Sequence, residues 1–420
     1  MTAPVPLPAL IRTFGRIGLL SFGGPAAQIA LMHKELVEDR PWLSEAQFLR
    51  ALSFCMLLPG PEAMQLATYA GWRLRGWRGG LMGGLLFTLP GALVIFVLAL
   101  LYGRYGTLPP VQAAFLGVKA AVVGIVAQAL WRLGQRALKG PQDAILACLA
   151  FLALFVFSAP FPLVILLAAL WGAWRGRHAA LPDPAPGDPR AWRGLRLLPL
   201  GAALWLAPLA LLPLAGQGFL TELGRFFAWL AVLTFGGAYA VLAWMADAVV
   251  GDFGWLTAGQ MIDALGLAET TPGPLILVTQ FVGILAGQGQ GGSGVAAGLL
   301  VLWVTFVPCF LWIFAFAPLV ERLGEMPRLS AALAGVTAAV VGVIANLSLW
   351  FAAHVLFRET VQITQGPLDM VLPVLPAPRP LAMGLAALSC ALLLWRRWPL
   401  VAVLALSAGL ALSATLLAAG

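Results

Sequence analysis

Apolar runs recur along the whole chain, each close to the roughly 20 residues that carry a helix across a hydrocarbon core. Short polar or Gly/Pro-containing breaks separate them. The pattern predicts thirteen membrane segments, at 8–32, 45–72, 79–103, 110–133, 142–158, 160–176, 197–214, 219–246, 258–285, 295–320, 329–357, 380–395 and 398–418. One polar interval stands apart: residues 175–196, "RGRHAALPDPAPGDPRAWRGLR", rich in proline and charge, which reads as a linker between two bodies.

The same pattern repeats. "SFGGP" at 21–25 returns as "TFGGA" at 234–238, an offset of 213. Trp42-Leu43 and Trp255-Leu256, Gln47 and Gln260, and Pro59-Gly60-Pro61 and Pro272-Gly273-Pro274 keep that register. Further on the offset becomes 218: "LGVKAAVVGIVAQ" (116–128) matches "AGVTAAVVGVIAN" (334–346), and Pro90 matches Pro308. A register held across separated motifs indicates a tandem duplication. Six spans precede the linker and six follow the lone span 197–214. That odd span inverts the second copy, so the expected fold is an all-α polytopic membrane protein of two inverted repeats with broken helices. The expected domains are 1–178 (first repeat), 179–196 (cytoplasmic linker), 197–217 (connecting span) and 218–420 (second, inverted repeat).

Composition supports the membrane reading. The 420 residues are 61% hydrophobic and 10% charged, with mean hydropathy +0.93, whereas a soluble domain carries about a quarter charged residues. The net charge of +8 does not signal nucleic acid, because the basic residues flank apolar runs instead of forming a stripe interleaved with aromatics. Of the 25 Lys and Arg, fifteen fall in loops on the side of the N-terminus and seven on the other. Positive-inside logic then places the N-terminus in the cytoplasm and the C-terminus outside. The four cysteines are isolated within apolar runs and read as small packing residues. The histidines show no metal-ligand spacing. "MTAPVPLPAL" has no basic stretch of the kind that opens a signal peptide.

The candidate chemistry lies where spans are broken. Within 51–72, Pro59 and Pro61 interrupt the helix and Gly60 supplies a bend. Pro61 suits the start of a new helix, so the span becomes two half-helices meeting near mid-membrane. The second half-helix exposes unpaired N–H groups and the positive end of its dipole, a setting for an anion. "ETTPGPLIL" (269–277), with Thr271, Pro272, Gly273 and Pro274, offers a second break. A single break is a kink; two at equivalent positions point to a site. Ser21, Phe22, Gly23 and Gly24, with Thr234, Phe235, Gly236 and Gly237, add flexible backbone and one hydroxyl per copy.

Among charges within spans, Glu62 is either a carboxylate compensating the helix dipole or a coupling group. Glu269 is its asymmetric counterpart. Lys119 pairs either with Glu62 or with a bound anion. Gln28, Gln65, Gln128, Gln280 and Asn346 read first as interhelical glue, and all but Gln128 are also candidate ligands. Arg12 and Arg16 read as interfacial, and Asp247, Asp252 and Asp263, near span ends, as solvated. No nucleophile–base pair or metal triad suggests an enzyme, and no cofactor is expected.

These residues resemble the chromate ion transporter family in its long, two-domain form. The resemblance rests on "SFGGPAAQIALMHKELVEDRPWLSEAQF", "LLPGPEAMQLATYAGWRLRGWRG" and "FTLPG", and on "TFGGAYAVLAWM", "ETTPGPLILVTQFVG" and "AGVTAAVVGVIAN". It implies efflux of chromate, a divalent oxyanion shaped like sulfate, from the bacterial cytoplasm across the plasma membrane. The drive would be the membrane potential or a proton gradient. By the same resemblance, the F-G-G and P-G-P positions become transport-path residues. Sulfate or another oxyanion, and a passive anion channel, remain alternatives. The expected partners are the small oxyanion and the bilayer, with a homodimer allowed.

Overall fold

The computed structural model describes residues 5–22, 24–178, 194–235, 238–319, 327–366 and 368–419. Of the expected linker, residues 179–193 lie outside the described residues. The helices run, in chain order, α1 (Leu7–Leu20), α2 (Gly24–His33), α3 (Glu45–Cys55), α4 (Glu62–Tyr105), α5 (Pro109–Ala137), α6 (Pro141–Phe155), α7 (Phe161–Arg175) and α8 (Leu198–Leu214). They continue as α9 (Gly218–Val232), α10 (Ala238–Asp247), α11 (Ala258–Thr270), α12 (Val278–Gly289), α13 (Gly294–Phe316), α14 (Pro327–Leu356), α15 (Pro380–Cys390) and α16 (Leu400–Ala419). Among the described residues, six are long and apolar enough to cross a bilayer: Glu62–Tyr105, Pro109–Ala137, Gly194–Leu214, Gly294–Phe316, Arg328–Leu356 and Leu400–Leu417. Shorter apolar helices accompany them. Leu93, Leu166, Leu200 and Leu211 point outward from these helices, an apolar surface suited to lipid. The protein is an all-α polytopic membrane protein.

The repeat is visible in local structure. Ser44 and Gln47 form a capping box at the start of α3, and Thr257 with Gln260 repeats it before α11. α2 runs into a π-turn at Lys34–Glu38, and α10 into another at Ala248–Asp252. α4 is two helices joined at Arg75–Gly76, where Gly76 takes φ +62°, a conformation that favours glycine. The two arms lie so close that a Cβ added at Gly71 would sit 2.1 Å from the Gly79 carbonyl oxygen.

The chain divides into two compact units, each drawing on both repeat copies. One comprises Met1–Leu100, Ala179–Val241 and Thr271–Ser330. Within it the Trp205 indole donates to the Val304 carbonyl at 2.8 Å, joining α8 to α13, and Glu35 is buried between Arg16 and Arg40. Arg16 is therefore an ion-pair partner as well as an exposed residue. The other unit comprises Leu101–His178, Leu242–Thr270 and Ala331–Gly420. There α5 is flanked by α15 and α16, with a Cβ at Gly117 falling 2.0 Å from the Ser407 carbonyl oxygen. α14 packs on α6 and α7 through Gly342 and Gly335. Small residues at such crossings let helices approach where lipid offers no hydrophobic drive for association. The stretch between α14 and α15 forms an antiparallel hairpin, β1 (Thr360–Gln365) with β2 (Leu368–Pro373).

Beyond the first span, the His33 ring contacts Glu45 at 2.6 Å and Glu38 at 3.0 Å. The hydrogen bond to Glu45, foremost, raises its pKa above the ordinary histidine value. Because the folded-state value is the higher one, this contribution to stability is full below the ordinary value. It is lost as pH rises through the raised one. An NMR titration of the ring should show the raised midpoint, and Glu45→Gln should lower it; an unmoved midpoint contradicts the assignment.

Candidate functional site

The two Pro-Gly-Pro breaks lie within the first unit. α3 ends at Cys55 and α4 starts at Glu62, so residues 56–61 cross the gap as irregular backbone. In the second copy α11 ends at Thr270, and a 3₁₀ turn at Leu275–Leu277 leads into α12. Gly60 takes φ +124° and Gly273 φ +89°, both in the region where a Cβ is penalised.

Each break is held by the other copy. The Gly60 N–H donates to the Thr234 carbonyl at 2.7 Å, and the Gly273 N–H donates to the Ser21 carbonyl at 2.9 Å. These are the same bond at repeat-related positions. Gln28, on α2, adds a side-chain N–H to the Gly273 carbonyl at 2.6 Å. The helices behind the breaks cross over too. A Cβ on Gly91 would fall 2.1 Å from the Pro272 carbonyl oxygen, and one on Gly60 would fall 2.8 Å from Cys309 Sγ. Gly91 and Cys309 are themselves 218 residues apart, the later repeat offset.

The chain bends in the same way at each F-G-G segment. The Phe22 N–H donates to the Leu20 carbonyl at 2.9 Å and the Phe235 N–H to the Leu233 carbonyl at 3.0 Å. The hydroxyls of Ser21 and Thr234 donate back to the carbonyls of Ile17 and Leu230, so each presents lone pairs, not a proton, to the surroundings. Gly24 takes φ +77°; Gly23, Gly236 and Gly237 lie outside the described residues.

Beyond the bends are unused donors. Among the described residues, no acceptor takes the amide N–H of Ala63 and Met64 in the first turn of α4, or of Leu275 and Ile276 after the second break. All four residues are buried. Glu62 begins α4 half-buried, where the dipole favours a negative charge. Gln65 is fully buried; its side-chain N–H donates to the Pro59 carbonyl at 2.7 Å, and among the described residues its Oε1 has no partner. Among the described residues, the Oε1 of buried Gln280 and the hydroxyls of Thr88 and Thr305 also lack partners. Thr88 lies one helical turn from Gly91, and Thr305 one turn from Cys309. Thr88 and Gly91 fall within "FTLPG" and Cys309 follows Pro308, but the sequence alone assigns none of them, nor Thr305, to the site.

Lys119, Asn346 and Glu269 belong to the second unit, with Glu269 buried and Asn346 half-buried. Among the described residues Lys119 has an ion-pair partner that the sequence did not indicate: its Nζ lies 3.1 Å from Asp263 Oδ1. Asp263 is 1% exposed, which corrects its reading as a solvated span end. α11 packs along α5 there, and the Tyr102 hydroxyl donates to Asp263 Oδ2 at 2.6 Å. Asp247 and Asp252 are exposed as expected. Gln128 acts as interhelical glue, donating to the Leu393 carbonyl at 3.0 Å.

The profile of the family described as chromate transporter matches residues 8–173 and again 221–412, once per repeat copy. The chain belongs to the chromate transporter family. It is 34% identical over 417 residues to a chromate transport protein of Pseudomonas aeruginosa, covering 97% of this chain and 92% of that one. A probable chromate transport protein of Synechococcus elongatus is 34% identical over 341 residues, covering 81% and 83%. The chromate transport protein of Cupriavidus metallidurans is 33% identical over 344 residues, 82% of each. No solved structure matches the chain. As a chromate transporter family member with several apolar helices, it is a multi-pass membrane transporter.

Proposed function

We propose that this chain is a secondary-active transporter that exports chromate from the bacterial cytoplasm, binding the anion at the half-helix N-termini behind the two breaks. The observation that carries this reading is the reciprocal clamp of Gly60 on Thr234 and Gly273 on Ser21. The clamp fixes two sets of buried, unused amide donors, Ala63 with Met64 and Leu275 with Ile276. Preset N–H groups of this kind bind a tetrahedral oxyanion without further reorganisation. The named relatives supply the substrate. Residues 1–178 and 218–420 act as inverted repeats joined by the span 197–217, and the linker 179–196 is cytoplasmic. Glu62 and Glu269 couple anion movement to a proton or ion.

The test is uptake of labelled chromate and sulfate into inverted plasma-membrane vesicles, with and without a proton gradient. Gradient-dependent accumulation of chromate is expected; equilibration without accumulation overturns the carrier in favour of a channel. Preference for sulfate would replace the substrate. Gly60→Ala with Pro61→Ala lets the helix run on and re-pairs the donors. A hydrogen bond to a charged group contributes about 1.5–3 kcal/mol, so oxyanion affinity should fall about tenfold or more. A reporter fused to the C-terminus should be active only outside the cytoplasm; cytoplasmic activity rejects the inverted arrangement.

A further inference from the structure

The second unit contains a cavity of about 210 Å³ whose wall includes Lys119, Arg358, Arg379, His354, Gly259 and Thr360. Among the described residues, no carboxylate lines it. Asp263 meets Lys119 on α5; among the described residues, neither arginine has a carboxylate counter-charge at the cavity. Gathering like charges around one space is costly unless an anion joins them. Burial, and next the nearby Arg358 charge, lowers the pKa of the Arg379 guanidinium below its ordinary value.

The arginines are held in place. The Arg379 N–H donates to the Leu356 carbonyl at 2.8 Å and its guanidinium to the His354 carbonyl at 3.3 Å. The Arg358 N–H donates to the Ala377 carbonyl at 2.9 Å, and the Val374 N–H to the Glu359 carbonyl at 3.0 Å. The β-hairpin base thus clamps both arginines at the end of α14. α11 begins at the same wall with Ala258 and Gly259, adding the positive end of its dipole. A water's share of liquid volume is about 30 Å³, so the cavity has room for a tetrahedral oxyanion with several waters.

The geometry points to a second anion site here, in which Arg358, Arg379 and Lys119 hold a small divalent tetrahedral oxyanion. It rests on the proposed transport function only for its purpose, as a station where oxyanion collects apart from the breaks. A lipid phosphate shares this chemistry, and the experiment separates the two. The full chain is purified into nanodiscs of phosphatidylcholine alone and treated with phenylglyoxal across a sulfate titration, with modified peptides read by mass spectrometry. Sulfate should protect Arg358 and Arg379 together; absence of protection overturns the site.

Calorimetric titration with sulfate should show a component weakened about tenfold or more in Arg358→Gln/Arg379→Gln, and retained in Gly60→Ala/Pro61→Ala. Equal sulfate affinity in the arginine variant and its parent overturns the site. Retention of the component in a chain without chromate flux would count against the transport reading and not against this one. If phosphatidylglycerol in the disc protects both arginines without sulfate, a lipid phosphate is the occupant and the free-anion site is rejected.

Discussion

Gly91→Ala is expected to abolish oxyanion transport and to lower thermal stability, although residue 91 offers no side chain to any ligand. The added methyl would lie 2.1 Å from the Pro272 carbonyl oxygen and 2.7 Å from Leu277 Cδ1. The leucine can rotate aside, but the carbonyl belongs to the break itself. Relief therefore requires the Pro272–Gly273 backbone to move away from α4. That movement strains the 2.9 Å bond from the Gly273 N–H to the Ser21 carbonyl and re-aims the amides of Leu275 and Ile276. Overpacking a closed contact costs about 1–3 kcal/mol, with the loss of a buried backbone hydrogen bond added to it. Gly384→Ala in α15 is the control, since nothing lies within 4 Å of the new methyl and alanine favours helix. The readouts are chromate uptake in inverted vesicles and the unfolding temperature in detergent. Parental transport by Gly91→Ala would show that the exact placement of the second break is immaterial.

The halves of this site differ in how readable they are from sequence. Pro59-Gly60-Pro61 and Pro272-Gly273-Pro274 announce themselves, because proline and glycine inside an apolar run have few structural meanings and the 213-residue register repeats them. What the register does not reveal is the partner. That Gly60 bonds to Thr234, instead of to the F-G-G segment of its own copy, is a tertiary fact, since either pairing would satisfy the same donor. Gly91 and Cys309 sit beside the matched Pro90 and Pro308, but the register marks a glycine as a bend and not as the contact surface that Gly91 offers to Pro272. Asp263 resembles a solvated span end because it is only the sixth residue of α11, while its burial comes from α5, nearly 150 residues earlier in the chain. The hairpin at Thr360–Pro373 carried a signal in the alternation of "TVQIT" before Gly366, which a search for long apolar runs passes over.

Lys119→Met should eliminate transport for two separable reasons, and a second substitution divides them. The ammonium lies 3.1 Å from Asp263 Oδ1, and the carboxylate is 1% exposed, with the Tyr102 hydroxyl as its other partner. Deleting the lysine alone leaves a buried charge supported by one neutral hydrogen bond. Breaking a buried pair from one side costs about 3–5 kcal/mol, enough to deplete folded protein in the membrane. Loss of transport in the single variant is therefore uninformative about anion contact. In Lys119→Met/Asp263→Asn both charges go, and the asparagine can still accept from Tyr102. Replacing a buried pair by neutral groups is often neutral or stabilising, so membrane insertion and unfolding temperature should return close to the parent's. Transport should not return, because Lys119 also lines the cationic cavity with Arg358 and Arg379, and an anion moving through that unit would lose one of its charges. Inserted protein is measured by quantitative blotting of membranes and transport by chromate uptake per inserted molecule. A double variant that transports like its parent would reduce Lys119 to a counter-ion for Asp263 and remove it from the anion path.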